Sequence, residues 1–378
     1  MSRSVLVTGG AGFVGSFVCE RLIAQGFAVR VLDNLDPQVH QAPPAIAPGV
    51  EFRRGDVRDA DTCAQALDGI DVVVHAAAAV GIGQSLYRVR HFIDVNTTGT
   101  ATLLEALAAR QRPVKLVMLT SMTGYGEGVY RRPSDGRLLR VDARRDEDID
   151  RFGWEPVCPE THEVLEPCAT PESAALLCRN VYALSKRHQE ELALSLAATY
   201  GFETVCLRLF NVFGPRQSLS NPYTGVIAIF LSRLLAGQRP LVYEDGAQTR
   251  DFVSVHDVAG AILAAIDSPA ANGQVVNIGS GVGRGIASVA ATLARVTGRD
   301  DLLPEITYRF RSGDIRHCTA DISRARDLLG FEPTVSWEAG LAEVVDWART
   351  APSADRVLHA DRELQARGLV SDRRGATA

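Results

Sequence analysis

The most constraining stretch of this chain is Thr8-Gly9-Gly10-Ala11-Gly12-Phe13-Val14-Gly15, set between an apolar run at 4–8 (SVLVT) and an amphipathic stretch at 12–25. Glycines at 9, 12 and 15 let the backbone turn tightly and come close to a ligand. The helix expected to follow presents unpaired N–H groups and the positive end of its dipole, which suits a pyrophosphate. A glycine triplet alone is a weak sign, since ordinary turns also use glycine. Here Asp33 closes the next apolar run, 21 residues after Gly12, where a carboxylate can accept hydrogen bonds from a ribose diol. A 2′-phosphate at that place would face Asp33 without an evident basic partner, so NAD is expected rather than NADP.

The first 120 residues keep one rhythm. Short apolar runs at 4–8, 28–32, 50–53, 71–75 and 114–120 alternate with helical spacing at 12–25, 59–67 and 96–109. Near-continuous apolar strands between amphipathic helices mean a parallel sheet covered on both faces. The expected fold is therefore α/β: a doubly wound parallel sheet of the Rossmann kind, with a smaller, interleaved C-terminal substrate lobe. The regularity breaks at 130–180, which is rich in Pro, Arg, Asp and Glu and reads as a solvated surface insertion. A long helix at 181–200 and a strand at 204–209 follow. The boundaries read as 1–211 for the dinucleotide-binding domain, 212–350 for the second lobe, and 351–378 for a polar tail expected to fray.

Composition excludes several classes. With 378 residues, 46% hydrophobic and 22% charged, the chain has the balance of a globular protein rather than a disordered or fibrous one. A net charge of −5 without a basic stripe argues against a nucleic-acid partner. No run of about 20 apolar residues suggests a membrane span, and the N-terminus leads directly into a strand, so a cytoplasmic protein is expected. Seven scattered cysteines fit reduced thiols better than a disulfide framework. Cys158, Cys168 and Cys178, near His162, match no compact zinc spacing, and no metal site is expected.

A second constellation points to chemistry. Tyr182 and Lys186, four apart at the start of the 181–200 helix, share one face. A neighbouring ammonium favours phenolate over phenol, so Lys186 is expected to lower the Tyr182 pKa and make it a usable base. Ser121 ends the strand at 114–120 and reaches the carboxyl edge of the sheet, where ligands of such folds bind. Asp56, after the strand at 50–53, could meet an adenine amino group. The small residues Ala76, Ala77 and Ala78 after His75 suit a close approach of cofactor to backbone.

Taken together, TGGAGFVG, the HAAA turn, Asn96-Thr97-Thr98-Gly99-Thr100, the Ser121/Tyr182/Lys186 set and Leu209-Phe210-Asn211-Val212-Phe213-Gly214-Pro215 resemble the extended short-chain dehydrogenases/reductases over about residues 4–345. The resemblance implies tightly held NAD, a nucleotide-sugar substrate, and a homodimer through a four-helix bundle using the helices near 97–110 and 182–200. To the cofactor it assigns Gly9, Gly12, Phe13, Val14, Gly15, Asp33, Asn34, Asp56, Val57, Ala76, Ala77, Ala78, Asn96 and Phe210, with Tyr182 and Lys186. To the substrate it assigns Val80, Ser121, Met122, Thr123, Tyr182 and Asn211, with Arg250 and Arg311 on the diphosphate. Cys318 stands where UDP-galactose 4-epimerases carry a bulky pocket residue.

Family dehydratases carry an Asp-Glu pair just after the strand-end hydroxyl. Here the residues are Ser121-Met122-Thr123, which leaves no acid to protonate a departing hydroxyl and favours 4-epimerisation. The segments 33–40, 79–85, 125–128 and 313–317 resemble those of bacterial epimerases acting on dTDP-6-deoxyhexoses. UDP-hexose epimerisation and reduction of a 4-ketosugar stay open as alternatives. A non-catalytic dinucleotide sensor should lack the Tyr/Lys pair.

Overall fold

The computed structural model describes residues 3–40, 43–110, 112–311 and 313–373. Seven parallel strands form the larger sheet: β1 (Ser4–Thr8), β2 (Ala28–Asp33), β3 (Val50–Arg54), β4 (Val72–His75), β5 (Lys115–Ser121), β6 (Glu203–Leu209) and β7 (Gln274–Ile278), in the order β7-β6-β5-β4-β1-β2-β3. Alternation along β1 explains why both faces are covered. Val5 and Val7 pack with Phe17, Val18 and Leu22 of α1 (Phe13–Ala24), and Leu6 points the other way. There it meets Cys63 and Leu67 of α2 (Ala60–Leu67), and Leu103 and Leu107 of α3 (Gly99–Ala108). The layer is completed by α4 (Val181–Tyr200), whose Ala193 joins that second cluster.

The chain then leaves for the second lobe and comes back. α5 (Val255–Asp267) packs Val258, Ile262 and Ile266 into the α1 side of the sheet, and β7 pairs with β6 from Gln274 to Ile278. The two lobes are therefore interleaved. Among the described residues no helix is long and apolar enough to cross a membrane.

Two expectations are corrected. The 130–180 segment is not a solvated excursion: Val129–Arg131, Leu138–Arg140 and Glu166–Thr170 are strands of a second sheet that also holds Asn211–Phe213, Thr249–Ser254 and His317–Ala320. One of its arginines, Arg144, is turned inward. Arg144 sits 2.9 Å from Glu244 and 3.4 Å from Glu127. Arg316, at 0% side-chain exposure, meets the same Glu244 at 2.9 Å and Asp245 at 2.6 Å, and also pairs with Glu155. The Arg316 backbone N–H donates to Glu127, and His317 Nε2 lies 2.9 Å from Glu155. The C-terminal tail does not fray over its described part either. Val357–Ala366 is a helix, α6, and Val370–Asp372 pairs antiparallel with Arg309–Arg311; residues 374–378 lie outside the described residues.

Removing one member of a buried ion pair strands a charge and costs about 3–5 kcal/mol, against under about 1 kcal/mol for an exposed pair. Arg316→Met should therefore lower unfolding free energy by that larger amount in urea titrations. Arg131→Ala, which breaks the exposed pair with Glu166, should change it little. Equal effects of the two would show that the buried cluster does not hold the insertion.

Candidate active site

At the carboxyl ends of the larger sheet's strands lies a cleft of about 450 Å³, walled on one side by the loops after β1, β2, β3 and β4 and on the other by residues 209–227. Its floor is the glycine turn. Gly9 has φ +69°, and a Cβ there would stand 2.7 Å from Ala77 N; one on Gly15 would stand 2.3 Å from Gly9 O. No larger residue fits at either place without moving backbone. Gly12 caps α1 with no side chain bonded to the helix end, which leaves that end free to take an anion.

Asp33 ends β2 and is 8% exposed. Its carboxylate accepts from Ala11 N at 3.1 Å and Leu35 N at 2.9 Å, while His40 Nε2 lies 3.8 Å away. Asn34 donates to Asp56 at 3.0 Å. Arg58 grips Asp56 through two bonds, which holds that carboxyl well below its usual range. Val57 and Ala76, Ala77 and Ala78 line the same end. An uncapped helix terminus, a glycine cradle and a carboxylate at the second strand together fit a dinucleotide.

Asn96 does not line the cleft. It lies fully buried in a π-helical turn, Ile93–Thr98, where its amide exchanges bonds with Ala79 N (2.7 Å) and Ala79 O (3.0 Å) and donates to Ser185 Oγ (2.9 Å). These bonds hold the 79–80 loop onto α4.

Ser121 and Tyr182 meet at the cleft's inner end, the serine hydroxyl near enough to favour the phenolate. Ser121 Oγ also accepts from Thr123 N at 3.3 Å and Thr123 Oγ1 at 3.0 Å. Asn180 starts α4 by accepting from Ala183 N at 2.8 Å, and this fixes the first turn that carries Tyr182. Burial pushes the Tyr182 phenol up to about 12, with the Ser121 hydroxyl opposing it. Lys186 is also buried and is pulled down to about 7; its ammonium donates to Leu119 O at 3.0 Å. The expected lowering of Tyr182 by Lys186 is thus not found. The amine is tied to the sheet's carbonyl, and loss of water outweighs its charge.

Val80, Met122, Thr123, Phe210 and Asn211 all line the cleft, Met122 being 3% exposed and Val80 51%. The Asn211 Oδ1 atom is buried with no bonding partner among the described residues, as a ligand-facing amide would be. Arg250 and Arg311 are not among the lining residues. Arg250 donates to the carbonyls of Thr249 and Arg316, and Arg311 is bound to Asp314 and lies over the Tyr243 ring. Arg311 nonetheless reaches to 3.2 Å from where a Cβ of Gly83 would be, between the lining residues Ile82 and Gln84. The sequence reading missed Arg216, Gln217, Asn221 and Tyr223 in the outer wall, as well as Gln38 and Gln84, whose amides exchange two 3.0 Å bonds. The Pro-Arg-Gln run directly after Gly214 was the available signal for the first two.

Residues 5–142 and 157–279 match the model of the NAD dependent epimerase/dehydratase family. The chain belongs to that family. It is 35% identical over 91% of its length, and 94% of the relative's, to a dTDP-L-rhamnose 4-epimerase of Burkholderia thailandensis. It is 33% identical over 91%, and 98% of the relative's, to a UDP-glucose 4-epimerase of Mycolicibacterium smegmatis. Among solved structures, the UDP-glucose 4-epimerase of Thermotoga maritima with UDP-glucose superposes with a TM-score of 0.75 at 28% identity, covering 92% of this chain and 98% of that one. The chain is an NAD-dependent enzyme of the nucleotide-sugar epimerase/dehydratase kind.

Asp33 both faces the cleft and ties down the glycine turn through Ala11 N. Asp33→Ala should therefore weaken NAD binding about 10- to 100-fold, the worth of one or two charge-assisted bonds, and relax the preference against NADP. Fluorescence titration of cofactor-stripped enzyme measures both. A wild type binding NADP as tightly as NAD would remove Asp33 from this role.

Proposed function

We propose that this enzyme is a 4-epimerase of a nucleotide-activated 6-deoxyhexose, interconverting dTDP-L-rhamnose and dTDP-6-deoxy-L-talose through a transient 4-keto sugar. The observation that carries the epimerase part is the Tyr182–Ser121 pair above a buried lysine, at a place where no carboxylate lines the cleft. Asp33, Asp36 and Asp56, the carboxylates among the described lining residues, belong to the loops after β2 and β3. A dehydratase needs an acid beside the sugar to protonate the departing hydroxyl, and Met122 and Thr123 cannot supply one.

NAD, held by the glycine turn and Asp33, would supply reversible hydride acceptance from carbon 4 of the sugar. Ser121 holds the 4-oxygen, and Tyr182 takes the hydroxyl proton and gives it back in the second half. With a pKa near 12, the resting phenol keeps its proton. It becomes a base when positive charge enters the cleft, which lowers the cost of phenolate. Asn211 and the outer wall at 216–227 are left to hold the nucleotide diphosphate. A homodimer through α3 and α4 belongs to the same reading, and a monomer in light scattering would remove it.

Losing a positioned base costs about 10²–10⁴-fold. Tyr182→Phe should fall by that much in kcat while still retaining NAD. The wild-type-minus-variant tyrosinate absorbance should titrate at lower pH with NAD bound than without it. A titration that NAD leaves unmoved would take the proton-transfer role from Tyr182.

The sugar rests on two supports: the likeness to the Burkholderia thailandensis enzyme, and the apolar Met122 and Val80 in the cleft lining, which suit a methyl group. The second reading is a UDP-hexose 4-epimerase, favoured by the superposition on the Thermotoga maritima structure with UDP-glucose. An apolar pocket rejects an added hydroxyl by only about 10²-fold, so dTDP-L-rhamnose should exceed UDP-galactose in kcat/KM by about that ratio. A clear advantage for UDP-galactose would select the second reading.

A further inference from the structure

An epimerase of this kind, if the proposed function holds, faces a problem of retention. Its 4-keto sugar has to turn over between two hydride transfers without leaving. The C-terminal helix α6 crosses between the two walls of the cleft at its outer end. Glu363 Oε2 lies 2.9 Å from the Tyr87 hydroxyl and 2.8 Å from the Tyr223 hydroxyl, and the two phenol oxygens are 2.7 Å apart. Tyr87 belongs to the stretch that follows Val80 and Gly81 in the NAD-binding lobe, whereas Tyr223 lines the cleft from the second lobe.

The two walls touch beneath this cluster. A Cβ on Gly81, which has φ +141°, would stand 3.0 Å from Tyr223 Cβ. Further contacts seat the helix on both lobes. Asp361 accepts from Tyr243 at 2.5 Å and from Arg309 at 2.6 Å, while Leu364 lies 3.4 Å from where a Cβ of Gly83 would be. Arg367 stacks 4.3 Å over the Tyr87 ring and donates to Glu363 at 3.1 Å. Beyond the helix, Val370–Asp372 anchors the segment by pairing with Arg309–Arg311. Tyr223 is thus the one cleft-lining residue in this cluster, and Glu363 fixes it to the opposite wall.

We propose that α6 is a clasp and Glu363 a positioning residue: by joining Tyr223 to Tyr87 it keeps the cleft shut around the 4-keto sugar until the hydride has been returned. The balance is simple. If the ketose escapes after the first half-reaction, the hydride stays on the nicotinamide and the hydroxyl proton stays with the enzyme, so each escape leaves one reduced cofactor and one free 4-ketose. Loss of charge-assisted hydrogen bonds at the clasp should raise escape per turnover about tenfold or more.

The test uses NAD-loaded enzyme with dTDP-L-rhamnose, following absorbance of the reduced cofactor and trapping free ketose with a hydrazine. Glu363→Ala should accumulate reduced cofactor and ketose in equal amounts and stall early. Glu363→Gln, which keeps an acceptor oxygen for the phenols but loses the charge, should leak less than the Ala variant, and Tyr87→Phe should lie between wild type and the Ala variant. Unchanged melting temperature and NAD content would show that the Ala variant is folded. Epimerisation by Glu363→Ala with the cofactor staying oxidised, or equal leakage from the Ala and Gln variants, would overturn the clasp. Wild-type enzyme that turns over no nucleotide sugar would instead overturn the epimerase reading, and retention with it.

Discussion

The rest of the structure depends on how closely two neighbouring strand ends approach. β1 and β4 lie side by side, with Thr8 beside His75, so the turns that follow them must share one small volume. The sequence solves this with residues that have little or no side chain, Gly9 against Ala76 and Ala77. Beneath that contact, Thr8 and His75 share a 2.7 Å bond, His75 reaches Thr100 of α3 at 2.9 Å, and Gln189 of α4 reaches the same Thr100 at 2.7 Å. The helices that carry Tyr182 and frame the cleft are therefore fastened to the strands that hold the glycine turn. Cofactor floor and proton-transfer pair are placed by one network.

That network is also electrically quiet. Burial, with help from the nearby Lys186 charge, pulls His75 down to about 3, so the ring is neutral at working pH. Elsewhere buried charges are paired, as with Arg208 and Glu190 at 2.6 Å or Arg316 among its carboxylates, or held by N–H and O–H donors, as with Asp251 and Asp257. Tyr182 and Lys186 are each buried without a counter-ion among the described residues. Both are pushed toward their neutral forms, one upward and one downward. The site thus responds to any charge a ligand brings, because little else is there to screen it.

What could be read in the sequence follows from how local its physical cause is. Strand–helix alternation, the glycine turn and the Tyr182/Lys186 spacing are set within a few residues, and the structure places them close to where the sequence reading put them. The 130–180 segment was misread because the partners of Arg144 are Glu127 and Glu244, and Glu244 is a hundred residues away along the chain. A mixed-charge run looks the same whether water or a distant arginine satisfies it. The partners of Asn96, Arg250 and Arg311 could not be read for a related reason: a motif fixes residue type, while tertiary neighbours decide which way the side chain turns. The tail, with few large apolar residues, is held mostly by polar bonds to Tyr87, Tyr223, Tyr243 and Arg309, and those leave no apolar periodicity to detect.

The interleaving of the lobes has a consequence for how the protein is made. β6 ends at Leu209, and its neighbour β7 begins only at Gln274, 65 residues later, after part of the second lobe has passed. At about 5–20 residues per second of synthesis, the nascent sheet stands for several seconds with β6 as an open edge. The strand is mostly buried in the finished molecule, so its unpaired backbone groups and its apolar Val205, Cys206 and Leu207 stand unprotected while it waits. Ribosome-bound chains of this length are where a chaperone would be needed most. A truncation at the apparent lobe boundary near 211 would make that passing state permanent.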